Sequence, residues 1–387
     1  MANAPHFNVD LKKFYNDPYP TFEKMRNSSP ISYVPEFDSI LITKREDIYK
    51  NEKLIDVFSS VQPNGLMVKL MGQNMMRKDG EQHTSERRGI FQTISPKTVQ
   101  KIWKREFEKY ADYIIEQLKV KKGGNLFRDY GINLSAKALI LVTGLKNMSI
   151  REMDSVSQGM IDGIANYNND RKVEENCNKC TSLIDYCVDE MIPRLSEEDF
   201  PSLLKVQVNA GFSNDQIKAN IKLAISGGQN EPRDAISGSI WALLSNPKQI
   251  SILKSNKANM IDVFEEYCRW ISPVGMSPRR IAKKYIYKGI NFSPNEKIFL
   301  MFGSANRDED YFEKSDEFIL ERDRSASIPF GAGPHFCAGA WISKCLVGEV
   351  ALPKLFKNFP NIRLDPEQRV NFFGWAFRGP DAVICNW

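Results

Sequence analysis

The chain has 387 residues, 42% of them hydrophobic, which is enough to bury a large core. Its net charge of +5 comes from 53 basic and 48 acidic residues with no like-charged blocks, which argues against nucleic acid as a partner. No hydrophobic run reaches bilayer-spanning length and the polar start MANAPHFNVD has no signal-peptide pattern, so a cytoplasmic protein with no membrane partner is expected.

In chain order, Pro20 and the helical spacing after it predict a short helix, and ISYV with SILIT predict a β-hairpin. Residues 59–78 mix Gly, Pro, Asn and Met and read as a loop with at most a short helix. Asp79, His83 and Arg87 recur every four residues, so they are expected on one helix face. Residues 97–200 are rich in helical patterns. Within them, Asn166, Tyr167 and Asn169 suit either a polar recognition site or an exposed turn. Cys177-x-x-Cys180 lies on a helix-like stretch with no second cysteine pair, which favours packing over a zinc or redox role. With only His6, His83 and His335 in the chain, a multi-histidine metal centre is not expected.

Ser213-x-x-Gln216 is a capping box that opens a long helix running to about residue 245. Leu223, Gly227 and Glu231 are spaced four apart, so they are expected on one face of it. Pro232 removes the N–H that would bond the Gly228 carbonyl, so a kink is expected there. Glu266-x-x-Arg269 follows, a common pairing and weak by itself. The end, VNFFGWAFRGP, predicts a glycine-broken hairpin. The most informative stretch precedes it: FGAGPHFCAG, residues 330–339, with three glycines around Cys337 and a helical pattern after it. Glycines let the backbone pass close under a flat ligand, and free N–H groups at a helix start favour a thiolate. That is what a cysteine-ligated haem iron needs.

Phe330-x-x-Gly-x-His-x-Cys-x-Gly resembles the haem-binding loop of the cytochromes P450. The resemblance implies a mostly α fold with small β-sheets, one domain over 1–387, and haem b held between the long central helix and the cysteine loop. It implies Cys337 as iron ligand, His83, Arg87, Arg280 and His335 at the propionates, and Phe330 beside the cofactor. It also implies an ion-pair network of Glu266, Arg269 and Arg322 behind the loop. Pocket candidates are Leu66, Met67, Leu70, Tyr167, Leu223, Val274, Met276 and Phe377. Gly227 would leave room for dioxygen. Where the family has an acid followed by an alcohol, this chain has Asn230 and Glu231, which makes Glu231 the nearest proton donor.

This Asn-Glu-Pro, with GSANRD and GWAFRGP, is similar to bacterial members that remove O-methyl groups from methoxylated aromatics or from 6-O-methyl-D-galactose. Oxidative O-demethylation with release of formaldehyde is the expectation. Dioxygen would be consumed, and electrons from NAD(P)H would arrive through a ferredoxin and its reductase. Hydroxylation of another small molecule, a peroxide-driven peroxygenase and a non-catalytic haem carrier are the alternatives.

Overall fold

The computed structural model describes residues 3–166 and 169–387. The chain divides into two compact units: 1–61, 237–338 and 363–384 form the first, and 62–236, 339–362 and 385–387 the second.

The first unit is built on a five-stranded sheet. Its strand order is Ile31–Val34, Ser39–Ile42, Lys297–Leu300, Ser277–Ile281 and Phe58–Ser59. The expected hairpin is there: Ile31 pairs with Ile42 and Val34 with Ser39 in antiparallel register. Alternate strand residues point to opposite faces, and here both faces are covered. Ile31, Ile40, Ile42, Ile298 and Leu300 enter one buried cluster with Phe58 and Phe292. Val34, Leu41, Phe299 and Met301 enter another with Phe14, Phe22 and Met25. Each such side chain contributes roughly 1.5–3 kcal/mol by leaving water, so the sheet is a rigid base for the segments that hang from it. The helix Met260–Ile271 is fixed at its start by an Asn259–Asp262 capping box. The expected C-terminal hairpin pairs Phe372–Phe373 with Gly379–Pro380.

The second unit is helical. Its main members are Gly80–Gly89, Lys104–Lys119, Asn133–Thr143, Ile150–Ile164, Arg171–Met191 and Asn214–Ser226. Capping boxes at Ser149 and Ser213 start two of them. The cysteine pair finds its use here. A Cβ added at Gly159 would stand 2.5 Å from Cys180 Sγ, and one at Gly163 would stand 2.5 Å from Cys177 Sγ. The two thiols therefore fill glycine notches and let the helices Ile150–Ile164 and Arg171–Met191 approach closely. Among the described residues, no helix is long and apolar enough to cross a membrane.

Candidate functional site

The candidate residues fall into two groups, one in each unit. In the first unit, Cys337 sits three residues before the helix that begins at Ala340. Its N–H donates to the Phe330 carbonyl (2.9 Å), closing the glycine loop on itself, and the Phe336 N–H donates to Gly333 (2.9 Å). Of the seven cysteines Cys337 alone is not buried. Burial raises the thiols of Cys177 to about 11 and Cys345 to about 12, and pushes Cys268 well up with help from Glu265 and Cys337. Burial disfavours a thiolate at those positions, and Cys337, the one cysteine of the seven that is not buried, is the one suited to be a ligand.

A buried network stands behind the loop. Arg269 and Glu266 form a two-pronged pair (2.9 and 2.8 Å) with both side chains fully buried. Arg322 Nε adds a bond to Glu266 (3.2 Å). The guanidinium of Arg269 also donates to the carbonyls of Asn306 (2.9 Å), Ser315 (2.9 Å) and Glu317 (3.0 Å). Asn306 carries the connection onward, because its Oδ1 accepts from Ile328 N (2.7 Å). The Ile328 carbonyl in turn accepts from Gly331 N (3.1 Å) at the head of the loop.

Sequence reasoning missed Glu52. It is 2% exposed, pairs with the buried Arg279 (3.2 Å) and accepts from the Ala332 N–H of the loop (2.9 Å). Gly331, at φ +78°, is needed there: a Cβ would stand 3.0 Å from Glu52 Oε1. No motif marks Glu52, whose loop partner lies 280 residues away. Of the neighbouring strand residues, Arg280 is half-buried and donates to Val61 O (2.9 Å) and Asn295 Oδ1 (2.8 Å). His335 and Phe330 are half-buried within the loop. Val274 is bridged to Phe377, which brings those two pocket candidates together. Met276 is buried in the core cluster with Phe14 and Met301.

In the second unit the long helix departs from expectation. It ends at Ser226 and restarts at Asn230, with Gly227–Gln229 as the break. Pro232 does not kink a continuous helix. It sits in the first turn of the new one, where its missing N–H costs nothing. The break lies at the paired glycines because neither favours a helix interior. Leu223, Gly227 and Glu231 therefore do not share one continuous helical face. Gly227 is exposed, and a Cβ added to it would meet nothing closer than Leu223 O at 3.6 Å. Glu231 is half-buried as a residue, yet both carboxylate oxygens are shielded from water and lack a hydrogen-bond partner among the described residues. Burial pushes its pKa up to about 8, with its own backbone N–H and Arg233 opposing and Asp234 adding. Asn230 is buried and donates to Gln158 (3.0 Å).

His83 is buried and Arg87 half-buried on the helix Gly80–Gly89, and Asp79 precedes the helix as its cap residue. That helix is anchored by a residue not foreseen, Glu86. It is bonded to Lys78, to Gln216 Nε2 (2.8 Å) and to Asn220 Nδ2 (3.0 Å). Leu66, Met67 and Leu70 fall on a short helix, Leu66–Met71. Leu70 Cδ1 lies 3.1 Å from where a Gly163 Cβ would be, so it packs on that helix. Leu223 is half-buried. Tyr167 lies outside the described residues. Asn166 is used locally, bonding both the N–H and the carbonyl of Asp170 (2.9 Å each), as an exposed turn does.

Residues 259–373, which include the buried ion-pair network and the cysteine loop, match the family model described as Cytochrome P450. The chain belongs to the cytochrome P450 superfamily. Relatives extend the match across its length. The polyketide biosynthesis cytochrome P450 PksS of Bacillus subtilis (strain 168) is 24% identical, over 95% of this chain and 96% of its own. The vitamin D(3) 25-hydroxylase of Pseudonocardia autotrophica is 24% identical, over 91% and 88%. P450BioI, solved with an acyl carrier protein ligated to hexadec-9Z-enoic acid, superposes with a TM-score of 0.87 at 19% identity, covering 98% of this chain and 100% of that one. That likeness establishes the P450 fold.

Cytochromes P450 use haem iron, dioxygen and NAD(P)H-derived electrons passed on by partners. The residues present fit such a cofactor. The loop exposes one cysteine, Gly227 offers an exposed backbone with no side chain, and Glu231 holds unpaired oxygens beside it in the chain. The chain is thus a P450 monooxygenase acting on a small molecule.

Proposed function

We propose that this P450 removes the O-methyl group of a small methyl ether, a methylated sugar such as 6-O-methyl-D-galactose or a methoxylated aromatic, with the whole chain serving as one haem-binding domain. The observation that carries the reading is the helix break, where Asn230 and a Glu231 with shielded, unpartnered oxygens stand in place of an acid and an alcohol. Cys337 would bind the iron, with Phe330 beside it. His83, Arg87, Arg280 and His335 would hold the propionates. When bound, haem supplies the oxidising power for attack on the O-methyl carbon.

The chain's own residues do the rest. Val274 and Phe377 in the first unit, and Leu66, Met67 and Leu223 in the second, would be the groups that position the methyl group and exclude water, and Glu231 would hold and release protons. Overall, the ether with dioxygen, two electrons and two protons gives a hydroxymethyl ether and water. That product collapses to the alcohol and formaldehyde. Electrons come from a ferredoxin and its reductase.

Incubating the holoenzyme, a ferredoxin system and NADH with methylated sugars or methoxybenzoates tests this. One formaldehyde per turnover is expected for one of the two classes. Oxygenated product without formaldehyde, from any substrate that shifts the haem spin state, contradicts it. Such an outcome would favour the second reading, hydroxylation of a natural product. That reading draws on relatives named for polyketide biosynthesis and for vitamin D(3) hydroxylation. Glu231 also suits a peroxygenase, which turnover with peroxide alone would reveal.

The propionate assignment has its own consequence. Each charge-assisted contact contributes roughly 1.5–3 kcal/mol where it is desolvated. The double variant Arg87→Ala, Arg280→Ala is expected to release haem readily during gel filtration, and parental haem retention would contradict the assignment.

A further inference from the structure

Three consecutive residues at the helix break leave four oxygens buried without partners: Gln229 Oε1, Asn230 Oδ1 and both oxygens of Glu231. Both amides are engaged at their nitrogens. Gln229 Nε2 donates to Asp154 Oδ1 (2.9 Å), and Asn230 Nδ2 donates to Gln158 Oε1 (3.0 Å). Gln158 Nε2 continues to Asp162 Oδ1 (2.9 Å), and Arg233 Nη1 adds a second link to Asp154 (3.2 Å).

Asp154, Gln158 and Asp162 are spaced one turn apart on the helix Ile150–Ile164. They line an open cleft of about 700 Å³ together with Arg128, Arg151 and Asn176. Side-chain hydrogen bonds therefore run without interruption from the cleft wall to the break. On the buried side the two amide oxygens can only accept, and the Glu231 carboxyl offers at most one O–H, so acceptors outnumber donors. Gln229 is fully buried and Asn230 is 5% exposed, so bulk water does not reach them directly. Buried acceptors of this kind are met by ordered water, which supplies the missing donors and makes about three bonds per molecule.

We propose that the cleft lined by Asp154, Gln158 and Asp162 is the proton entrance of this enzyme, from which waters pass the Gln229 and Asn230 amides and restore the proton on Glu231. Each proton that leaves the Glu231 carboxyl is replaced by one from the adjacent water. An O–H bond forms on the carboxylate as one breaks on the water, and solvent in the cleft makes good the difference. No electrons move in this step. Asp154, Gln158, Gln229 and Asn230 are positioning residues, since they hold the waters and do not touch the reacting atoms. The raised pKa of Glu231 fits a group that keeps its proton until it is called on. The proposal rests on Glu231 as the proton donor and is independent of which substrate is oxidised.

The test uses the holoprotein as its ferrous carbon monoxide complex, so that turnover is not required. Difference infrared spectroscopy in deuterated buffer follows exchange of the protonated Glu231 carboxyl, identified as the band that Glu231→Gln removes. Gln158→Leu and Asn230→Leu are expected to slow that exchange on the order of 100-fold, the lower end of what a positioned proton-transfer group contributes. Asn176→Leu changes the same cleft without touching the break and is expected to exchange at the parental rate. Gln158 is exposed, so its substitution leaves the fold intact and decides the matter even if Asn230→Leu loses haem. Parental exchange in Gln158→Leu overturns the entrance. A parent with no carboxyl band overturns the donor role of Glu231 itself, while the formaldehyde assay judges the substrate reading separately.

Discussion

Glu231→Gln is expected to lower product formation by roughly 100- to 10,000-fold, the range typical of a general acid or base. Haem incorporation and the substrate-induced spin shift should stay near parental values. The substitution keeps the shape of the side chain and removes its exchangeable acidic proton. With a pKa pushed up to about 8, Glu231 is largely protonated at neutral pH and can donate. Neighbouring Asn230 cannot, and its nitrogen is already committed to Gln158.

More of the reductant consumed should therefore appear as hydrogen peroxide. Activity in the parent should fall as pH rises through about 8, where the carboxyl ionises. The sign for stability runs the same way. Below the unfolded value of 4.5 both states are protonated, and between 4.5 and about 8 only the folded state keeps the proton, so stability declines with rising pH across that window. Glu231→Gln should flatten that slope. If the variant couples electrons to product as well as the parent, another path delivers the protons.

The second large effect is expected at Arg269. Arg269→Ala leaves Glu266 as a fully buried carboxylate whose remaining cation is Arg322 at 3.2 Å. It also strips donors from the carbonyls of Asn306, Ser315 and Glu317. Removing one partner of a buried ion pair typically costs roughly 3–5 kcal/mol. Arg269→Lys should rescue little, because an ammonium cannot form the two-pronged bond and reach three carbonyls as well. Denaturant unfolding of the purified variants measures the loss. Haem should be lost before the sheet melts, since Asn306 ties this network to Ile328 at the base of the cysteine loop. A change below about 1 kcal/mol, within the range of ordinary surface substitutions, would show that the network is dispensable.

What could be read from the sequence was what is local. The loop from Phe330 to Gly339 and the Glu266–Arg269 pair are short-range patterns whose geometry follows from a few adjacent residues, and both appear as compact bonded units. The hairpin Ile31–Ile42 was legible for the same reason, through two-residue alternation. The central helix was legible only in part. Pro232 by itself points to a kink, whereas Gly227 and Gly228 end the helix and the proline fits the first turn of the next.

Glu52 and Glu86 were invisible because their importance comes from distant partners, Ala332 for one and Gln216 with Asn220 for the other. The Cys177-x-x-Cys180 spacing reads as packing on a helix-like stretch. The pair's actual use, filling the notches at Gly163 and Gly159, depends on a helix contact that spacing alone does not reveal.

Cys337, as a thiolate, is expected to bind haem iron in this chain. The carbon monoxide difference spectrum of the reduced holoprotein tests it most directly, with Cys337→Ala compared against Cys268→Ala and Cys345→Ala. The long-wavelength band of thiolate-ligated haem is expected in the parent and in both control variants, whose thiols are buried, and its loss is expected in Cys337→Ala. Persistence of that band in Cys337→Ala, or its absence from the haem-loaded parent, would contradict the account.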